Sequence, residues 1–241
     1  MNIILTGGSK GIGKATLELL AQDTNNKILV LSRTIIDDEK RQNVKWIKID
    51  LSSKEQIENV LETITEFKCD VLINNAGAGK VCDMKNLDIK DMEKEIMLNL
   101  ITPMKFTGIV GENMKKNNFG RIINISSISG ESGTPYLFTY SASKAGLINF
   151  TQSSAEYYKD YDITVNTICP GGVDTQMSVD GRKEISVLKN MEPEQYQKNM
   201  LNAMGRNELI ECDDVAKLIQ FLINMPSING QCINICGLIQ K

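Results

Sequence analysis

Four apolar runs are continuous rather than alternating: Ile3-Ile4-Leu5, Ile28-Leu29-Val30-Leu31, Val71-Leu72-Ile73 and Ile122-Ile123-Asn124-Ile125. Such runs mark strands buried on both faces of a parallel sheet. Three more mixed runs complete a set of seven candidate strands, at 2–6, 27–31, 45–49, 70–73, 121–125, 163–168 and 231–235. Between them the apolar positions recur at helical spacing over 14–21, 54–67, 88–116, 140–158 and 212–224. Strands alternating with helices predict an α/β fold. The expected architecture is a doubly wound, mostly parallel seven-stranded sheet with helices on both faces. Pro103 is expected to kink the 88–116 helix. Residues 131–139 read as loop and 34–43 as an abbreviated polar crossover. Ser52 and Glu55 form a capping-box pattern for the helix at 54–67. The polar, methionine-containing stretch 176–205 holds only a weak helical pattern, from Glu194 to Met204, and reads as a substrate lid. No repeat or linker interrupts the chain, so 1–241 is expected to form one domain.

Composition narrows the chemistry. At 241 residues, with 41% hydrophobic and 24% charged residues, the chain can bury a sizeable core. A net charge of −3 and the lack of a basic stripe give no general attraction to nucleic acid or anionic lipid. No apolar run reaches the length of a membrane span. The first strand begins at Asn2, so no signal peptide is expected. The six scattered cysteines therefore read as reduced thiols of a cytoplasmic protein. There is no histidine at all. That excludes Ser-His-Asp and Cys-His catalysis and any His-ligated metal, and no metal site is expected. A general acid–base must be Tyr, Lys, Cys or a carboxylate.

Several short patterns carry chemistry. Thr6-Gly7-Gly8-Ser9-Lys10-Gly11-Ile12-Gly13 lies between the first strand and the first helix. Its glycines let the backbone approach a phosphate, which a helix N-terminus attracts. The second strand ends in Ser32-Arg33 with no acid. A carboxylate there would favour NAD by holding the ribose 2′-OH, whereas Arg33, helped by Lys10, suits the 2′-phosphate of NADP. Asp50, after the third strand, reads equally as an acceptor for an adenine amino group or as a helix cap. Asn74-Asn75-Ala76-Gly77 follows the fourth strand, where small residues let backbone lie against a flat ligand and an amide can tie strands together. Asn99 sits mid-helix, ahead of Pro103. Ser127 follows the fifth strand, and Tyr140 and Lys144 are one helical turn apart, on one face. A nearby ammonium favours the phenolate and is expected to lower the tyrosine pKa. In the lid, Arg182 and Lys183 are candidates to meet an anionic substrate. Met177, Val179, Ile185, Val187 and Leu188 are candidates to line an acyl channel.

In this combination and order, the motifs resemble the short-chain dehydrogenase/reductase superfamily, most closely its 3-oxoacyl-(acyl carrier protein) reductase branch. The likeness covers nearly the whole chain and implies a Rossmann fold. It implies an NAD(P)-dependent oxidoreductase that moves a hydride between nicotinamide and a carbonyl or secondary alcohol. Tyr140 would be the acid–base. Lys144 would lower its pKa and hold the nicotinamide ribose, Ser127 would hold the carbonyl oxygen, and Asn99 would position a water linking Lys144 to solvent. Gly7, Ser9, Lys10, Gly11, Ile12, Gly13, Arg33, Asp50, Leu51, Asn75, Ala76, Gly77, Val173 and Thr175, with Tyr140 and Lys144, would bind the dinucleotide. NADP(H) is favoured over NAD(H), and the substrate is expected to be a small-molecule or carrier-bound carbonyl compound. The resemblance also implies a homotetramer or homodimer paired through the helices near 91–116 and 140–158. Keto-sugar, polyol or secondary-metabolite reduction is the alternative activity. A catalytically idle dinucleotide-binding sensor is the alternative class. Cys236-Gly237-Leu238 stands where the family commonly has Asp-Gly-Gly.

Overall fold

The computed structural model describes residues 1–36 and 41–238. Part of the short crossover expected at 34–43 therefore lies outside the described residues. The strands are β1 (Asn2–Thr6), β2 (Lys27–Ser32), β3 (Val44–Lys48), β4 (Val71–Asn74), β5 (Gly120–Ile125), β6 (Ile163–Pro170) and β7 (Cys232–Ile235). They form one seven-stranded sheet in the order β3-β2-β1-β4-β5-β6-β7, and every pairing is parallel. The strand order reverses between β1 and β4. In open α/β sheets such a switch point opens a crevice at the carboxyl ends of the strands.

The continuous apolar runs are explained by helices on both faces. Ile3 and Leu5 of β1 pack on one side, with Leu17 and Leu20 of α1 (Gly11–Leu20) and Ile219 and Leu222 of α9 (Cys212–Ile223). Ile4 points the other way, toward Ile57 and Val60 of α2 (Lys54–Glu66) and Phe106 and Val110 of α4 (Thr102–Asn117). Each of these apolar side chains is essentially fully buried, a gain of about 1.5–3 kcal/mol apiece. The remaining α-helices are α3 (Ile89–Ile96), α5 (Ser129–Ser132), α6 (Phe138–Tyr157), α7 (Gln176–Leu188) and α8 (Pro193–Ala203). No helix among the described residues is long and apolar enough to cross a membrane.

Four expectations need correction. The break in the long helix is not at Pro103. A widened π turn at Met97–Ile101 joins α3 to α4, and Pro103 follows directly after it, in the first turn of α4. The stretch read as loop at 131–139 is partly helical, because α5 begins at Ser129. The cap of α2 is Ser53 rather than Ser52, with its side chain accepting from the N–H of Gln56. The lid holds two helices, and α7 escaped detection because polar residues interrupt its apolar face.

Candidate active site

The carboxyl ends of the strands frame a cleft of about 740 Å³. All the dinucleotide candidates named above line it, as do Ser127, Tyr140 and Lys144. The glycine loop forms its floor. Gly7 has a φ of +72° and Gly11 a φ of +55°, both in the region that glycine alone enters cheaply. A Cβ on Gly13 would lie 2.0 Å from the Gly7 carbonyl oxygen, so the loop folds onto itself only without side chains there. Lys10 precedes α1 without capping it through its side chain, so the first-turn N–H groups face the cleft as anion donors. The loop is pinned from β4. The side chain of Asn75 donates 3.0 Å bonds to the carbonyls of Thr6 and Gly7. The hydroxyl of Thr6 accepts from the N–H groups of Asn75 and Ala76 at 2.9 Å. Thr175 caps α7 by accepting from Ser178 N–H, and its methyl lies against Gly11. One residue therefore joins the lid to the loop.

Lys10 and Arg33 are exposed at the cleft margin. The carboxylate of Asp50 accepts from the N–H and the hydroxyl of Ser52, at 2.9 and 2.7 Å. It therefore shapes the turn before α2 while still lining the cleft. Burial opposes its charge, but these bonds and the nearby Arg33 hold its carboxyl below the usual value.

Ser127, Tyr140 and Lys144 converge where β5 meets α6. Ser127 accepts from the Ser129 N–H at 3.1 Å, and it lines the cleft together with Tyr140. Lys144 is buried, donates a 2.7 Å bond to the Ile125 carbonyl, and its Nζ lies 5.6 Å from the Tyr140 ring centre. Burial pushes the Tyr140 phenol up to about 12, partly offset by Ser127. Burial also pulls the Lys144 ammonium down to about 8. This reverses the expectation that Lys144 lowers the Tyr140 pKa. One donor of the ammonium goes to a backbone carbonyl, and desolvation dominates both groups.

Asn99 does not line the cleft but lies behind it, fully buried in the π turn. Its amide donates to the Ala78 carbonyl at 2.8 Å and to the Ser143 hydroxyl at 3.1 Å, and its oxygen accepts from the Ala78 N–H at 3.0 Å. Its side chain thus clamps the strand-end turn to α6. Gly77 fits between Asn99 and Lys144. A Cβ there would meet Lys144 Nζ at 3.2 Å and Asn99 Oδ1 at 3.3 Å.

Sequence reading missed Glu95. It is buried one turn before Asn99, lines the cleft, and receives a 3.4 Å bond from the Lys80 N–H. Burial pushes its carboxyl up to about 7. The available signal was its spacing, four residues from Asn99 on the same helical face. In the lid, Arg182 lines the cleft and donates to the Ser178 hydroxyl at 2.5 Å, whereas Lys183 is exposed. Met177 and Ile185 face the cleft, whereas Val179, Val187 and Leu188 are not among its lining residues.

A model of the short chain dehydrogenase family matches residues 1–186. The 3-oxoacyl-(acyl-carrier-protein) reductase of Synechocystis sp. is 31% identical, over 97% of this chain and 94% of that protein. The diacetyl reductase ((S)-acetoin forming) of Staphylococcus epidermidis is likewise 31% identical, over 95% of each. The solved structure of a short chain dehydrogenase family protein from Francisella tularensis superposes with a TM-score of 0.87. It is 29% identical and covers 97% of this chain and 96% of that one. With a fold, a glycine cradle and a matched model in agreement, this chain belongs to the short-chain dehydrogenase/reductase family of nicotinamide-dependent oxidoreductases.

Proposed function

We propose that the chain reduces a ketone, or oxidises the matching secondary alcohol, with NADP(H), and that its substrate is a 3-oxoacyl thioester. The observation carrying this reading is the convergence of Ser127, Tyr140 and Lys144 in the same cleft as the glycine cradle. The cradle suits a dinucleotide, because a Cβ would fill it and its helix N-terminus is not capped by a side chain. Lys10 and Arg33 supply the charge for a 2′-phosphate, and β2 ends in Ser32 rather than an acid. The bound dinucleotide supplies the hydride. Ser127 holds the carbonyl oxygen, a contact that strengthens as negative charge builds on it. Tyr140 gives that oxygen its proton, and a phenol whose burial keeps it neutral is in the right state to do so. Lys144 holds the ribose next to Tyr140, and Asn99 secures the wall behind it. The whole chain acts as one dinucleotide-binding domain, with 176–205 as its lid. Ile101 of the π turn, Met104 of α4 and Tyr157 at the end of α6 are exposed and suit self-association as a dimer or tetramer.

Tyr140→Phe should lower turnover by about 10²- to 10⁴-fold while NADPH binding, followed by fluorescence, persists. Full turnover in that variant would sink the assignment. A second substrate reading, a small diketone, draws on the equal identity to the diacetyl reductase. Steady-state assays on an acetoacetyl thioester and on diacetyl separate the two.

A further inference from the structure

We propose that Cys169, Cys232 and Glu131 form a binding site for a thiophilic divalent cation of the zinc and cadmium kind, beside the catalytic cleft. The sequence separates these residues widely, and only the sheet brings them together. β6 and β7 are neighbours with Thr167 opposite Cys232 and Cys169 opposite Asn234, so both thiols stand on one face of the sheet. Their Sγ atoms are 3.2 Å apart. Cys232 Sγ lies 3.2 Å from Glu131 Oε1, and one ligand atom from each of the three residues falls within 4.8 Å of the others. The second oxygen of Glu131 accepts a 2.9 Å bond from the Asn234 amide, which fixes the direction of the carboxylate. Such an outer partner is typical of metal ligands.

The spacing favours a cation over a disulfide. Zinc–sulfur bonds of about 2.3 Å in a tetrahedral site put two sulfurs about 3.8 Å apart, so the pair need open only slightly. The two cysteines are diagonal rather than opposite. A strand separation of about 4.8 Å and a two-residue rise of about 6.6 Å put their Cα atoms about 8 Å apart, beyond the about 7 Å span of a disulfide. Two thiolates and a carboxylate also match borderline-soft cations better than magnesium or calcium. On binding, each thiol releases its proton to solvent as its sulfur–metal bond forms, and water completes the fourth position. The ion would tie α5, the turn directly after Ser127, to the ends of β6 and β7. This inference does not depend on the substrate proposed above.

The test is equilibrium dialysis of the reduced full-length chain against Cd²⁺, with the ultraviolet cadmium–thiolate band as a second signal. One ion per chain is expected. Cys232→Ser should weaken binding at least about tenfold, and the gentler surface change Glu131→Gln should weaken it measurably. Cd²⁺ should also raise the thermal midpoint of the parent but not of Cys232→Ser. Cys82 and Cys212 are the competing partly exposed thiols. Binding unchanged by both substitutions would assign the ion to them and overturn the proposal. Absence of stoichiometric binding to the reduced chain would overturn it equally.

Discussion

The proposed preference for NADP(H) rests on single side chains at the cleft margin. Arg33 is exposed and needs no partner to keep β2 in place, since Ser32 already bonds to the Ser9 hydroxyl at 3.2 Å. Its removal should leave stability nearly unchanged. A charge-assisted bond to a phosphate is worth about 1.5–3 kcal/mol, so Arg33→Ala should raise the KM for NADPH about 10- to 100-fold and leave that for NADH unmoved. An equal rise for both dinucleotides would contradict the phosphate role. At Gly13 the constraint is steric. A methyl 2.0 Å from the Gly7 oxygen cannot fit without moving the loop, so Gly13→Ala should abolish dinucleotide binding, checked by fluorescence titration of the folded variant.

Polar side chains lock the central elements of the sheet together. Asn74 of β4 donates to Asn124 of β5 at 2.8 Å, and Asn124 donates to Thr151 of α6 at 2.8 Å. The Thr167 hydroxyl of β6 bonds to the Thr151 hydroxyl at 2.6 Å. The whole chain of bonds is buried. Asn74 Oδ1 has no partner, but the bonds that the other groups make rigidify the centre of the sheet, and breaking them leaves further unpaired groups in low dielectric. Asn124→Ala leaves the Asn74 amide wholly unpaired, whereas Thr151 keeps its bonds to Leu147 and Thr167, at a cost of about 3 kcal/mol. For a chain of this size that corresponds to a midpoint lowered by about 6–12 °C, measurable by circular dichroism. This network holds α6, and with it Tyr140 and Lys144, against the end of β5. A loss below about 1 kcal/mol would mean that packing alone positions α6.

Across the whole molecule, burying ionisable groups at the cleft makes stability depend on pH. Glu95 has a folded value of about 7 against an ordinary 4.5. Between those values the folded chain keeps a proton that the unfolded chain has released, so this group's contribution falls as pH rises from about 4.5 through 7. Lys144 acts in the opposite sense and at higher pH. Its folded value of about 8 lies below the ordinary 10.5, so its contribution rises across that window. Urea midpoints at pH 5 and pH 8 should therefore differ less in Glu95→Gln than in the parent. An unchanged difference would assign the pH dependence elsewhere.

Much of this molecule was legible in one dimension. Unbroken apolar runs such as Ile3-Ile4-Leu5 require cover on both faces, and that requirement alone implies a parallel sheet between two helical layers. The glycine loop and the Tyr140–Lys144 spacing are local patterns, set by backbone sterics and the helical repeat, so the sequence carried them too. Other features depend on neighbours remote in the chain. The π turn beneath Asn99, the helical course of 176–188, the desolvation that raises Tyr140 and Glu95, and the meeting of Cys169, Cys232 and Glu131 were decided only by tertiary structure. Burial and strand register are properties of the packed whole, and no local window of residues encodes them.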